Sequence, residues 1–340
     1  MAWTTTLSTQ RRGRTAFTAR PRASFWLEIA FTVAVLLIPV FLGGWAYGLR
    51  LALDVALLST LALSLTLIFG FTGQISLGQA AFYAVGAYAS AIVQVQLGIP
   101  FWAAWIFAIV FTMFIAWLIS LPLLRIHGHF LALGTLALGL IVETLLVQFV
   151  DLTGGHSGIL LPRANLLGPL SSVFPFVIVI GFLLAYWLVR NLTERSLGRS
   201  FLALRDDPAG AAALGIPVAG YKSIVFAIGG GLAALAGILY SHQFQVITPE
   251  VFGFHTSLQV LIVVVIGGMS SRYGAVLGAL VVTLLPEWLG FLPIAEVENL
   301  AYGLLVLICL LFLPGGFVGG IQSIIRTVRR AWGGKGEVGS

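Results

Sequence analysis

The sequence has very little charge. Only 9% of its 340 residues are Asp, Glu, Lys or Arg, against about 25% in soluble domains, and 59% are hydrophobic. The stretch from Val55 to Leu124 contains no charged residue at all. As a helix it would measure about 105 Å, whereas the hydrocarbon core of a bilayer is about 30 Å thick. The composition therefore excludes a soluble fold and predicts a polytopic membrane protein that crosses the bilayer about three times in this stretch alone.

Cysteine and catalytic motifs are also scarce. The single cysteine, Cys309, lies in an apolar segment, which excludes an intrachain disulfide and a cysteine metal cluster. The sequence has no carboxylate pair, H-E-x-x-H, G-x-S-x-G or Walker motif, and we interpret His127 and His129 as interfacial residues of a short loop. These absences argue against an enzyme. They predict no catalytic residue, no metal site and no cofactor bound by this chain.

The long apolar segments predict an all-α fold with about ten (eight to ten) transmembrane helices. The strands of outer-membrane barrels are about 10 residues long and alternate strictly between apolar and polar side chains, a pattern that is absent here. The stretch GGMSSRYG, after the shortest predicted span, is either a tight inner turn or a break in one long helix. The predicted spans are 26–46, 50–70, 75–97, 101–122, 129–150, 173–190, 222–243, 255–268, 274–291 and 298–314.

The basic residues predict the orientation of these helices. If the N-terminus is cytoplasmic and ten helices follow, all lysines and arginines except Arg50 and Arg163 fall on the cytoplasmic side. Both termini are then cytoplasmic. This topology divides the chain into a basic cytoplasmic tail at 1–25, a single transmembrane domain at 26–320 with a cytoplasmic loop at 191–222, and a cytoplasmic C-terminal tail at 321–340.

The cytoplasmic loop contains a short predicted helix, Asp206–Gly215, in the stretch RDDPAGAAALGI. Asp207 suits the N-cap, Pro208 the first helical position and Gly215 a left-handed stop. Such a helix is marginal alone, because isolated helices shorter than about 12–15 residues barely form in water. Two interpretations follow from the residues: a surface connector packed on its own protein, or a docking helix for a cytoplasmic partner.

Small residues recur at helical spacing in two later segments. Small side chains four residues apart allow transmembrane backbones to approach closely, so we interpret these stripes as helix-packing faces rather than ligand sites. The residues are Gly229, Ala233, Gly237 and Ser241 in the first segment, and Gly274 and Gly278 in the second.

The stretch GFTGQISLGQ, residues 70–79, combines glycines with uncharged polar residues at the predicted inner end of a span. Each glycine costs a helix about 0.8–1.0 kcal/mol relative to alanine. Non-helical backbone at membrane depth persists only where it is buried in protein or lines a watery cavity. We therefore predict a broken or re-entrant segment beside the path of a neutral or zwitterionic solute. The candidate path residues are Thr72, Gln74, Ser76 and Gln79.

These residues also resemble a known family. GFTGQISLGQAAFYAVGAYASA, the outer loop TGGHSGI, ALRDDPAGAAALGIPVAGYKSIVFAIGGGLAALAGILYSH and the ending LFLPGGFVGG are similar to LivM-like permease subunits of branched-chain amino acid ABC importers. The resemblance extends from about Leu51 to Gly320. It implies an importer of leucine, isoleucine, valine or a related solute in the bacterial inner membrane. Permeases for urea and short amides share much of the pattern and are the alternative.

The resemblance further implies partners. A periplasmic binding protein would deliver the solute, a second permease subunit would complete the path, and two cytoplasmic subunits would bind ATP and Mg. The short helix then resembles the coupling helix that docks on an ATPase, with candidate residues Arg205, Asp206, Asp207, Pro208, Ala212 and Gly215. An ion-coupled secondary transporter is less favoured, since the acids Asp54, Glu143 and Glu287 all lie near predicted outer ends rather than at the midplane.

Overall fold

The computed structural model describes residues 23–43, 45–124, 128–161 and 174–289, together with positions 303–304, 307, 316–317 and 319. The predicted C-terminal tail, most of the predicted N-terminal tail and nearly all of the predicted span 298–314 lie outside the described residues.

The described residues are almost entirely helical, which confirms an α-helical membrane protein. Two dipeptide strands, β1 (Ile159–Leu160) and β2 (Val246–Ile247), form one antiparallel pair. The helices are α1 (Ala23–Gly43), α2 (Trp45–Leu65), α3 (Gln79–Gln96), α4 (Phe101–Leu123), α5 (His129–Gln148), α6 (Val150–Thr153), α7 (Phe174–Glu194), α8 (Ser196–Asp206), α9 (Pro208–Ala213), α10 (Val218–Phe244), α11 (Phe254–Gly267) and α12 (Arg272–Leu289).

Among the described residues, 6 helical segments are long and apolar enough to cross a membrane. Each of them overlaps one of the predicted spans. They are Tyr47–Gly70, Phe101–Leu123, Phe130–Gln148, Phe174–Glu194, Val218–Phe244 and Pro249–Gly267.

The chain between α2 and α3 is broken. A π-helical turn, Thr66–Gly70, follows α2, and residues 73–78 are not helical. Gly73 has a φ of 71°, a left-handed conformation that disfavours any side chain. Because Ser64 lies six residues before Gly70, about 9 Å along a helix, its contact with Gln79 shows that α3 begins well inside the bundle.

A second interruption precedes α11. After α10 the chain forms β2 and a 3₁₀ turn, Pro249–Phe252, before α11 begins. The starts of α3 and α11 meet, because the backbone N–H of Ala80 donates to the hydroxyl of Ser257 at 3.3 Å. Two interrupted helices therefore begin side by side in the protein interior.

Helix α10 lies at the centre of the bundle and packs on α3 through small residues. A Cβ on Gly237 would overlap the carbonyl of Tyr83, and one on Gly86 would overlap the backbone of Ala234. The other members of the predicted stripe are in tight surroundings too: Ala233 and Ser241 are fully buried, and Gly229 faces Ile68. The second predicted packing face, Gly274 and Gly278, lies where α11 and α12 cross. Gly278 packs against Val263, and Gly274 packs against Gly267.

We predict that Gly237→Ala destabilises the protein by about 1–3 kcal/mol, because the added methyl meets backbone that cannot rotate away. The measurement is thermal unfolding of the detergent-purified protein. Gly220→Ala, on the same helix, is the matched control, since its Cβ would approach nothing closer than Pro217 at 3.9 Å. Equal unfolding midpoints for the two variants would contradict this account of the α3–α10 contact.

Candidate functional site

The predicted cytoplasmic helix is present as α9, and it is shorter than expected. Its N-cap is Asp207, whose Oδ1 accepts hydrogen bonds from the backbone N–H groups of Ala209 at 3.1 Å and Gly210 at 2.9 Å. Pro208 occupies the first position, and Gly215 follows the helix with a φ of 81°. The helix has six residues instead of eight or so; Asp206 is the last residue of α8, and Gly215 is the left-handed stop that the sequence predicts.

The preceding helix, α8, was not predicted from the sequence. Phe201 and Leu204 are each 1% exposed, and Gly198 packs against the backbone of Thr193. These three residues recur every three positions, which is the signal that could have revealed the helix. Through them α8 is anchored to the membrane domain and carries α9 at its end.

The outer surface of α9 is small and apolar. Ala209, Ala212 and Ala213 are exposed, and Leu214, just after the helix, is 83% exposed. Leu214 was not singled out in the sequence. An isolated exposed leucine is common on proteins, but here it stands at the tip of a capped helix whose neighbours are alanines. The exposed end of α9 is therefore apolar and consists of small residues and one leucine.

The side chains of Arg205 and Asp206 have different surroundings. Asp206 is 73% exposed and pairs with Arg205 at 3.5 Å. The Arg205 guanidinium turns towards its own chain, where Nη1 donates to the carbonyl of Gly70 at 2.8 Å and contacts the hydroxyl of Ser270. The structure thus brings one predicted coupling residue directly to the start of the broken segment.

The four candidate path residues are buried. Thr72, Gln74, Ser76 and Gln79 are each no more than 2% exposed, and they bond mainly to neighbouring groups of the break. Gln74 donates to the Thr72 hydroxyl at 2.7 Å, and Gln79 accepts from Ser64 at 3.1 Å. Gln74 Oε1 and Gln79 Nε2 have no hydrogen-bond partner among the described residues. In this conformation the four side chains face protein, and each of the two glutamine amides keeps one atom without a hydrogen-bond partner among the described residues.

The broken segment rests on α5. The backbone N–H of Leu77 donates to the hydroxyl of Thr135 at 2.9 Å, and Gly78 lies against the carbonyl of the same threonine. The opposite side of α5 is exposed at Leu133 and Leu140. Farther along α5, the carboxylate of Glu143 lies beside Gly253, the N-cap of α11, where the helix dipole favours an anion.

A buried ion-pair network joins α1, α7 and α12 near the predicted cytoplasmic loop. Glu28, only 2% exposed, lies 3.3 Å from Arg190 and 3.7 Å from Arg272, and it accepts a hydrogen bond from Tyr186 at 3.3 Å. Glu194 completes the network, 2.7 Å from Arg272. Nothing in the sequence indicates that Glu28 pairs with residues so distant in the chain. Among the residues that the structure describes, no group of His, Cys, Asp and Glu could hold a metal ion.

We predict that Glu28→Ala destabilises the protein by about 1–3 kcal/mol, because it removes the buried carboxylate shared by Arg190 and Arg272, while the partly exposed Glu194 still pairs with both. Denaturant unfolding in detergent measures the loss. Asp206→Ala serves as the control, since that carboxylate is mostly exposed and contributes little. A Glu28→Ala protein as stable as the control would mean that the network does not hold the three helices together.

Comparison with known proteins gives a consistent result. A family model described as the permease component of the branched-chain amino acid transport system matches residues 47–313. The Escherichia coli K12 permease protein LivM, of a high-affinity branched-chain amino acid transport system, is 29% identical over 320 residues, covering 85% of this chain and 74% of LivM. LivH of the same organism is 25% identical over 278 residues, covering 76% of this chain and 90% of LivH.

A third relative matches a shorter part of the chain. The branched-chain amino acid permease protein BraD of Pseudomonas aeruginosa is 33% identical over 145 residues, covering 42% of this chain and 46% of BraD. No solved structure matches.

Proposed function

The chain belongs to the family of branched-chain amino acid transport permease components, and we propose that it is a membrane-spanning subunit of an ATP-driven importer for leucine, isoleucine or valine. The observation that carries the proposal is the family match, which covers most of the chain, joined to a protruding capped helix in the predicted cytoplasmic loop. The chain itself binds no cofactor in this proposal. ATP and Mg belong to two partner ATPase subunits, a second permease completes the path, and a periplasmic protein delivers the solute.

The proposed topology places both termini on the cytoplasmic side of the bacterial inner membrane, with about ten crossings. Contacts between elements support it. Gly70, Arg205 and Ser270, which the topology assigns to the cytoplasmic side, meet at one end of the bundle. The opposite end joins the loops predicted to be outside: β1 pairs with β2, and Gln96 donates to the carbonyl of Leu152.

The proposed docking element is α9. Arg205, Asp206, Asp207, Pro208, Ala212 and Gly215 were predicted to couple to an ATPase, and Leu214 now joins them. A short helix with alanine side chains can enter a groove closely, and an exposed leucine at its tip gains by burial about 1.5–3 kcal/mol. Of the seven residues, Arg205 acts inside the subunit rather than at the docking surface.

We expect Gly215→Trp to abolish solute uptake, because an indole beside Leu214 would prevent α9 from entering a groove. The measurement is uptake of radiolabelled leucine by cells that express all subunits, with co-purification of the ATPase subunits as the assembly readout. Gly215→Ala is the matched control: it imposes the same left-handed strain, and its Cβ would meet no atom within 4 Å. Normal uptake and ATPase binding by Gly215→Trp would refute the docking role of α9.

The proposed path runs beside the broken segment. Two helices, α3 and α11, begin next to each other there, and helix N-termini carry partial positive charge that suits a solute carboxylate. The unpartnered Gln74 Oε1 and Gln79 Nε2 add one uncharged acceptor and one uncharged donor. Since these groups are buried here, the proposal requires the segment to rearrange during transport.

We expect Gln74→Leu, Ser76→Leu and Gln79→Leu to reduce uptake more than they reduce the amount of assembled complex. A leucine removes the polar group that a rearranged segment would present to the solute. The control is Ile75→Leu, which keeps an apolar side chain at a half-buried position of the same segment. Wild-type uptake by all three variants would leave the segment with a packing role only, and competition by urea rather than leucine would favour the alternative substrate class.

A further inference from the structure

The carbonyl of Gly70 marks the point where the break begins. In a continuous helix this carbonyl would accept the N–H of Gln74, but that N–H donates to Ile68 instead, at 3.3 Å. The Gly70 carbonyl therefore needs another donor. It has two: Arg205 Nη1 at 2.8 Å and the hydroxyl of Ser270 at 3.2 Å.

Three separate parts of the chain meet at this oxygen. Arg205 belongs to the last turn of α8, Gly70 ends the π-helical turn, and Ser270 lies in the turn between α11 and α12. Arg205 also contacts the Ser270 hydroxyl, so the three groups form a closed triangle of hydrogen bonds. The contacts join positions 135 and 200 residues apart in the sequence.

Two glycines make room for this arrangement. A Cβ on Gly70 would overlap the carbonyl of Met269, and a Cβ on Gly73 would lie 3.0 Å from Cγ of Arg205. The arginine side chain therefore lies directly over the first residues of the break. The same glycines that lower the helix propensity thus leave space for the Arg205 side chain, which donates to the carbonyl of Gly70 at the end of the helical turn.

Arg205 is also close to α9 along the chain. It precedes the N-cap residue Asp207 by two positions, and the neighbouring residue Leu204 is buried. Any displacement of α9 that turns the end of α8 must move the guanidinium relative to Gly70 and Ser270.

We propose that Arg205 is the positioning residue through which the coupling helix controls the broken segment. While its guanidinium holds Gly70 and Ser270 together, the segment keeps the closed, buried conformation described above. When an ATPase moves α9, these hydrogen bonds separate and residues 73–78 are released to rearrange. The inference rests on the proposed coupling role of α9.

The test compares ATP hydrolysis with solute uptake in proteoliposomes that contain the complete importer. For Arg205→Ala we expect the ATPase subunits to bind as in the wild type and hydrolysis to continue, while leucine transported per ATP falls about tenfold, the loss expected from one charge-assisted hydrogen bond. Arg205→Lys, which keeps the charge but presents a single nitrogen, should recover part of the ratio, and it replaces Arg205→Ala in the comparison if that variant fails to fold and insert into the membrane. Arg199→Ala is the matched control, on the same helix and exposed.

The outcomes separate this inference from the proposed function. A wild-type ratio of transport to hydrolysis in both Arg205 variants would overturn the role of Arg205. Loss of ATPase binding in Arg205→Ala, with Arg199→Ala unaffected, would also overturn it, because Arg205 would then be a docking residue. Failure of the wild-type complex itself to show ATP-dependent leucine uptake would instead refute the proposed function.

Discussion

The rest of the structure depends on satisfying backbone hydrogen bonds where the chain is not helical inside a bilayer. Lipid offers no partner for these groups, so protein must supply one. The break at residues 73–78 is served from several directions: Thr135 on α5 bonds the N–H of Leu77, Ser257 on α11 bonds that of Ala80, and Arg205 with Ser270 bonds the carbonyl of Gly70. Distant helices must therefore converge around these few residues. The backbone groups left open by the break thus require particular side chains to pack around it.

Close backbone packing makes that convergence geometrically feasible. Glycine and alanine allow α10 to pack closely against the elements on either side of the break. Gly237 against Tyr83 and Gly229 against Ile68 bring α10 onto both sides of the interruption. The stripe of small residues and the polar stretch, which look like unrelated features of the sequence, are thus two requirements of the same arrangement.

Local features were predictable from the sequence, and distant pairings were not. The cap at Asp207, the left-handed Gly215 and the loss of helix after Gly70 follow from the preferences of the residues themselves. The partners of Arg205 and Glu28 depend instead on which helices become neighbours, information that a single sequence does not contain. From the sequence, Arg205 is a candidate for coupling to an ATPase, because a charged residue beside a docking helix looks the same whether it points outward or inward. Helix α8 belongs with the predictable local features, because Phe201 and Leu204, three residues apart, already favour it.

The two charged clusters at the predicted cytoplasmic end of the bundle differ in stiffness, and the difference indicates which part moves. Glu28, Arg190 and Arg272 are nearly buried and share several contacts, so separating α1, α7 and α12 would expose ions to an apolar interior at a cost of about 3–5 kcal/mol. Arg205 is about one-third exposed, so water can replace its hydrogen bonds as they part. When α9 is displaced, the ion pairs of Glu28 with Arg190 and Arg272 therefore stay in place, whereas the hydrogen bonds of Arg205 can separate. The hydrogen bonds that separate are those from Arg205 to Gly70 and Ser270, which hold the broken segment in its buried conformation.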